Sequence, residues 1–149
     1  MNNSYWDDVL QTAAEDVLET MFFTAICGPA DGALRGAAPR WAARVAFEGA
    51  PRGSLTLGLA DSSAQSLASN FLALESGDPV PPAPLAHVVC ELANMICGAL
   101  LSRVESETNF RLSHPQLLAP DGPLGLPNRS LDLGDGTLDL WLQLENHAR

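Results

Sequence analysis

The residues of this chain that could do chemistry are concentrated in one otherwise apolar stretch, ELANMICGAL. Glu91 carries a negative charge at neutral pH, and Asn94 combines a hydrogen-bond donor and an acceptor in one amide. On a helix that advances about 100° per residue, these two side chains share one side with His87, Gly98 and Ser102. We call these five residues the polar stripe. It offers one charge and one amide that forms hydrogen bonds without ionising.

The polar stripe has three interpretations: the solvated face of a core helix, a surface that meets a partner, or part of a metal site. Gly98 bears on this choice, because a glycine inside a helix costs about 1 kcal/mol relative to alanine and indicates that a partner or a neighbouring helix comes close. His87 and Glu91 are four residues apart, as metal ligands can be. The sequence places no third ligand near them, so no metal site is predicted.

Other kinds of active site lack support in the sequence. The chain contains no G-x-S-x-G motif, no glycine-rich phosphate loop and no convincing pair of cysteine and histidine for nucleophilic catalysis. The cysteines, Cys27, Cys90 and Cys97, form no C-x-x-C motif. We therefore expect buried reduced thiols rather than disulfides or a zinc site.

Composition predicts a single acidic domain spanning residues 1–149. Hydrophobic residues make up 46% of the chain and charged residues 17%, which favours a folded protein. The formal net charge is -10 and all 8 basic residues are arginines, so we expect no nucleic-acid partner. The chain starts without the basic and apolar segments of a secretion signal, and polar residues interrupt its longest apolar run. We expect a cytoplasmic protein that does not enter a membrane.

Hydrophobic periodicity and turn residues predict the elements that surround the polar stripe. Alternating apolar residues on either side of a turn predict one hairpin at residues 41–60 and another at residues 130–144. Periodic apolar residues predict a first helix that ends near Ile26 and a second helix capped by Asp61 or Ser62.

The third predicted helix carries the polar stripe. It runs from about Leu85 to Glu105, and Glu105 would extend the stripe at its far end. The opposite side of this helix is apolar and is expected to face the core; it consists of Leu85, Val89, Leu92, Ile96 and Leu100.

The order of elements indicates a diverged internal duplication, because a long helix precedes a hairpin in each half. If Asn94 is matched with Thr20 of the first helix, Glu91 is matched with Val17. The first half therefore lacks both the acid and the amide.

Several segments resemble one known family. ELANMICG at residues 91–98, followed by FRLSHP at residues 110–115, is similar to the E-x-x-N motif and the downstream Ser-x-Pro strand of CheX, within the CheC/CheX/FliY chemotaxis phosphatases. VLETMF at residues 17–22 is similar to the first helix of CheX-like domains, and the two hairpins complete the resemblance. It implies an α/β fold of the α+β type, with long helices packed on one antiparallel sheet built from two pseudo-symmetric halves.

The resemblance also implies an activity and a partner. It implies a hydrolase that dephosphorylates the aspartyl phosphate of a CheY-like response regulator. Glu91 and Asn94 occupy the two catalytic positions of the E-x-x-N motif. The resemblance implies that Asn94 orients the attacking water and that Glu91 pairs with a lysine of the regulator. His87, Gly98 and Ser102 would contact the partner. No cofactor of its own is implied, since the regulator carries Mg²⁺, and dimeric CheX implies a homodimer.

Two features depart from the family pattern. His87 stands where family members often have Asp or Ser, and Pro115 lies closer to Asn94 than in the family. Because Val17 and Thr20 replace the acid and the amide in the first half, one active motif is expected. His87 motivates an alternative function, a non-catalytic CheX-like binding module that docks a response regulator or another signalling protein.

Overall fold

The computed structural model describes residues 3–29, 41–49, 51–74, 78–104, 109–118, 125–134 and 136–145. Within these residues the chain forms three helices, α1 (Asn3–Met21), α2 (Asp61–Phe71) and α3 (Pro82–Arg103). The strands in the same residues are β1 (Gly28–Pro29), β2 (Trp41–Glu48), β3 (Arg52–Leu59), β4 (Arg111–Leu112), β5 (Gln116–Leu117), β6 (Arg129–Asp132) and β7 (Thr137–Glu145).

The strands of the described residues form one antiparallel sheet in the order β1-β6-β7-β3-β2-β4, and β5 also pairs with β2. β4 and β5 lie end to end along the outer edge of β2. The hairpins β2–β3 and β6–β7 meet at the centre of the sheet, where β3 and β7 pair from Arg52 with Glu145 to Leu59 with Leu138. The alternating residues of both hairpins therefore support one continuous core.

The topology confirms the two pseudo-symmetric halves. One half runs α1-β1-β2-β3, and the other runs α3-β4-β5-β6-β7, with α2 between them. In each half a short strand crosses to the hairpin of the other half, since β1 pairs with β6 and β4 pairs with β2. The observed fold is thus the predicted α+β arrangement of helices on one antiparallel sheet.

The helices pack on the face of the sheet where the strands present their apolar side chains. α3 is central to this layer and contacts α1, α2, β2 and β3. The buried sheet residues in the shared core include Val45, Phe47, Leu55, Leu57, Leu59, Leu131, Leu138 and Leu140. The predicted apolar side of α3 is confirmed, because its members are all buried: Leu85, Val89, Leu92, Ile96 and Leu100.

By length and composition, α3 is also the one helix in the described ranges that could span a membrane. The core helices of soluble proteins pass the same test, and half of the tested α3 window is buried inside this molecule. The packing of α3 on the sheet accounts for its apolar character.

The predicted boundaries of the first two helices need correction. α1 ends at Met21 rather than near Ile26, because Phe23 adopts a left-handed backbone conformation with φ of 52° that an α-helix cannot contain. α2 begins at Asp61, and its N-cap residue is Ala60, which makes no side-chain capping hydrogen bond; the prediction that Asp61 or Ser62 caps this helix was therefore wrong.

The predicted start of the third helix was also wrong. α3 begins at Pro82 rather than near Leu85, since a proline in the first helical turn sacrifices no helical hydrogen bond. The helix ends at Arg103. Glu105, which would extend the polar stripe, lies outside the described residues.

Candidate functional site

The polar stripe lies on the side of α3 that faces away from the core. Its five residues are half-buried or exposed. The intervening Leu92 is 1% exposed and Ile96 is 0% exposed, because apolar residues at three- and four-residue spacing fix the rotation of the helix. The predicted division of α3 into a core side and a polar side is confirmed.

Glu91 lies near His87, an ionisable residue of the same helix. Its Oε2 atom lies 3.8 Å from His87 Nε2, and the two side chains are 37% and 70% exposed, respectively. This distance is too long for a hydrogen bond, so the contact is an ion pair only when the imidazole is protonated. In the described part of the chain, the arginine ion pairs join other acids. The Glu91 carboxylate therefore keeps its charge available to a partner.

The Asn94 amide is available for hydrogen bonds with a partner. The side chain is half-buried, and no hydrogen bond joins it to another residue among those described. It lies one turn beyond Glu91 on a helix that packs against both other helices and the sheet. A rigid element thus holds one donor and one acceptor at a fixed distance from the carboxylate.

Gly98 borders open space rather than a close contact within the chain. A Cβ atom at this position would meet nothing within 4 Å among the described residues. The interpretation that a neighbouring helix requires this glycine is therefore wrong. Gly98 and Ser102 form one side of an open pocket of about 370 Å³, and the other described lining residues are Leu101, Val104, Asn109, Phe110 and Leu112.

Two cysteines lie beside the polar stripe, and both have a raised pKa. Burial, and then the negative charge of Glu91, raises the pKa of the half-buried Cys90 thiol. Burial alone raises the pKa of Cys97 to about 12. Neither residue therefore offers a thiolate nucleophile at neutral pH. Cys27 is exposed, so the prediction of buried thiols was wrong for this residue.

The corresponding positions in α1 carry no comparable site. Val17, which matches Glu91, is a core residue with 7% exposure. Thr20, which matches Asn94, is exposed, and its hydroxyl donates to the Asp16 carbonyl at 2.6 Å. The pair formed by an outward carboxylate and an outward amide therefore occurs on α3 and has no counterpart at the matching positions of α1.

The described residues contain no group of three or more His, Cys, Asp or Glu side chains that could hold a metal ion. His87 and Glu91 alone supply two ligands, fewer than a stable protein metal site uses. Chemically, the polar stripe is suited to attract a cation and to position a hydrogen-bonded group.

Sequence reasoning missed the pocket and the contacts that fix the surroundings of α3. Arg103 near the end of α3 forms an ion pair with Asp16 of α1. Phe110, in the pocket wall, packs edge-on against Phe47 of β2 at a centroid distance of 5.9 Å. Each pair joins residues far apart in the chain, so no local sequence pattern predicted these contacts. The family resemblance of residues 110–115, which include Phe110, was the one related signal.

Comparison with known protein families gives one match. The family model described as chemotaxis phosphatase CheX matches residues 41–125, which is more than half of the chain and includes the polar stripe. Comparison with curated proteins found no sequence match.

Solved structures of CheX proteins have a similar fold. The chemotaxis protein CheX from Vibrio vulnificus is 16% identical to this chain, with a TM-score of 0.72. The match covers 94% of this chain and 96% of the Vibrio vulnificus chain. CheX from Desulfovibrio desulfuricans is 19% identical with a TM-score of 0.72, over 95% of this chain and 99% of the other. A third similar chain comes from the CheX–CheY–BeF3–Mg²⁺ complex of Borrelia burgdorferi, at 16% identity, a TM-score of 0.69 and coverage of 93% and 97%. At such identities the likeness shows the fold alone.

Proposed function

Since this chain belongs to the chemotaxis phosphatase CheX family, we propose that it removes the phosphoryl group from the aspartyl phosphate of a CheY-like response regulator. The observation that carries the proposal is the placement of Glu91 and Asn94 one turn apart on the outward side of α3. A phosphatase role directed at CheY is supported by the family match and by the solved complex of a similar CheX with CheY.

Asn94 positions the attacking water in this reaction. Its amide oxygen accepts a hydrogen bond from the water and holds the water oxygen in line with the phosphorus–oxygen bond that breaks. The water oxygen bonds to phosphorus, and the regulator's aspartate leaves as a carboxylate. Because an amide neither gains nor loses a proton at neutral pH, Asn94 acts by orientation rather than as a base.

Glu91 recognises the regulator by charge. Its carboxylate pairs with a lysine of the regulator and thereby fixes the position of α3 relative to the phosphoryl group. Support comes from its 37% exposure and from the absence of an arginine partner among the described residues. The net charge of -10 also favours encounter with a cationic surface.

The other residues of the polar stripe form the docking surface. The open space at Gly98 allows the regulator to approach the helix beside Asn94. Ser102 borders the adjoining pocket, and His87 is exposed one turn before Glu91. We assign these three residues to partner binding rather than to the chemical step.

The reaction needs no metal ligand from this chain. Mg²⁺ arrives with the regulator and neutralises charge on the phosphoryl oxygens. The solved complex that contains the similar Borrelia burgdorferi chain includes CheY, BeF3 and Mg²⁺. Its composition supports the proposal that the regulator brings the metal ion.

We also propose that the chain is a single cytoplasmic domain that forms a homodimer. β4 and β5 are exposed at one edge of the sheet, and exposed edges favour pairing between strands. Light scattering should give twice the mass of a 15.8 kDa chain. The mass of one chain would contradict the dimer.

Phosphate release from a phosphorylated cognate regulator tests the proposed activity. Catalytic amounts of this protein should shorten the lifetime of the aspartyl phosphate well below that of the regulator alone. The exposed His87 in the docking surface favours the alternative of a non-catalytic binding module. That alternative predicts binding to the regulator with an unchanged phosphate lifetime.

A further inference from the structure

We propose that His87 makes recognition of the regulator proton-dependent by competing with the regulator's cation for Glu91. The inference rests on the proposed function, in which the Glu91 carboxylate pairs with a lysine of the regulator. It adds a role for a residue at which this chain departs from the family pattern, and it predicts how the same site responds to pH.

The geometry of the two side chains permits this competition. His87 and Glu91 are one turn apart, and 3.8 Å separates Nε2 of the imidazole from Oε2 of the carboxylate. At this distance the neutral ring makes no hydrogen bond to Glu91 and leaves its charge unopposed. The 70% exposure of His87 allows its ring to exchange protons directly with water. Protonation therefore creates an ion pair without any movement of the backbone.

Several charged groups near α3 contact residues other than this pair. In the described residues, Asp16 of α1 pairs with Arg103, Asp61 of α2 accepts a hydrogen bond from Trp41, and Arg44 of β2 donates one to Thr56. Within the same residues, the ion-pair partner of His87 is Glu91, and no ion pair includes Glu19 of α1. The adjoining Cys90 remains an uncharged thiol at neutral pH, because burial and then Glu91 raise its pKa. Cys90 therefore adds no charge that would compete with His87 for Glu91.

The direction of the effect follows from charge. Histidine side chains gain a proton as pH falls between about 8 and 5. The protonated ring then pairs with Glu91 and also repels the incoming lysine, so docking weakens at low pH. An exposed ion pair of this kind changes affinity by about two- to five-fold. Docking should strengthen by that factor as pH rises and the ring loses its proton.

Binding of the regulator activated by BeF3 and Mg²⁺ tests the inference when measured at pH 6 and pH 8. For the wild type, the ratio of Kd at pH 6 to Kd at pH 8 should exceed the same ratio for His87→Gln by about two- to five-fold. His87→Gln keeps a polar side chain without a titrating ring, and its ratio of the two Kd values should approach 1. His114→Gln, which removes an exposed histidine outside α3, is the control and should keep the wild-type ratio.

The outcomes separate the inference from the function on which it rests. If His87→Gln and the wild type show the same ratio of Kd values, or if binding is tighter at pH 6 through His87, the inference is wrong and the proposed function stands. If the wild type neither binds the regulator at either pH nor shortens the phosphate lifetime, the proposed function fails and the inference fails with it.

Discussion

Glu91 and Asn94 lie one helical turn apart on the outward side of α3, and neither is tied to another element by an ion pair or a hydrogen bond within the described residues. The helix beneath them is held by α1, α2 and the sheet. The fold therefore holds the carboxylate and the amide at a fixed separation while leaving both groups available to a partner. Rigid presentation favours a positioning role, because a displacement of roughly 1 Å can reduce the rate of a positioned reaction by about 10²-fold.

The charge of Glu91 is expected to contribute to docking and little to folding. Glu91→Gln keeps the shape of the side chain and removes the charge. Its Kd for the activated regulator should rise by roughly ten-fold, equivalent to about 1.4 kcal/mol, and should depend less on salt. The free energy of unfolding should change by less than about 0.5 kcal/mol, since the site is partly exposed.

Glu145 provides a matched control for this measurement. It is an exposed acid on β7 that pairs with Arg52 at 3.1 Å, away from α3. Glu145→Gln should leave Kd for the regulator at the wild-type value. Equal Kd values for Glu91→Gln and Glu145→Gln would contradict the docking role.

Gly98 should separate stability from partner binding. Gly98→Ala places a methyl group in open space and should stabilise the fold by about 1 kcal/mol, because alanine favours the helix. Gly98→Leu should also fold, but regulator binding should weaken progressively from Gly to Ala to Leu. Thermal unfolding and titration with the activated regulator measure the two effects. Undiminished binding by Gly98→Leu would show that the regulator does not approach this part of α3.

Gly53 should respond to the same substitution in the opposite direction. It lies buried in β3, and a Cβ atom there would overlap the carbonyl oxygen of Gln143 in the paired strand β7. The backbone can relieve this overlap only by separating the central strands. Gly53→Ala should therefore lower the free energy of unfolding by at least about 2 kcal/mol in urea denaturation. A variant as stable as wild type would mean that β3 and β7 are not so closely paired.

The Cys97 thiol should make stability fall in alkaline solution. Burial raises its pKa to about 12 in the folded protein, whereas the unfolded chain releases the proton near the usual value of about 9. The stabilisation is present below pH 9 and is lost as pH rises towards 12, by at most about 1.4 kcal/mol per pH unit. Urea denaturation between pH 8 and pH 11 should show a weaker loss for Cys97→Ala than for the wild type. Equal losses would place the thiol in contact with water.

The fold was largely predictable because its signals are local. The alternation of apolar residues in both hairpins and their intervening turns specified β2, β3, β6 and β7. The periodicity of α3 specified which side is buried, so the outward position of Glu91 and Asn94 followed from sequence alone. The resemblance to a family supplied the pairing of the two halves, which local patterns do not encode.

The misplaced features depend on backbone geometry or distant contacts. The end of α1 depends on the left-handed conformation of Phe23, a residue type that rarely adopts it. The early start of α3 depends on a proline, which is tolerated in a first helical turn but also typical of loops. The pocket beside Gly98 depends on Phe110 and Leu112, which reach α3 through the pairing of β4 with β2. No pattern within a single element specifies such a recess.

The rate of phosphate release with Asn94→Ala tests the central claim most directly. The matched control is Thr20→Ala, which removes the side chain at the corresponding position of α1. With a phosphorylated cognate regulator at saturating concentration, Asn94→Ala should be slower than wild type by roughly 10²-fold, equivalent to about 3 kcal/mol, while Thr20→Ala should retain the wild-type rate. An Asn94→Ala protein as fast as the wild type would contradict the assignment of Asn94 as the residue that orients the attacking water.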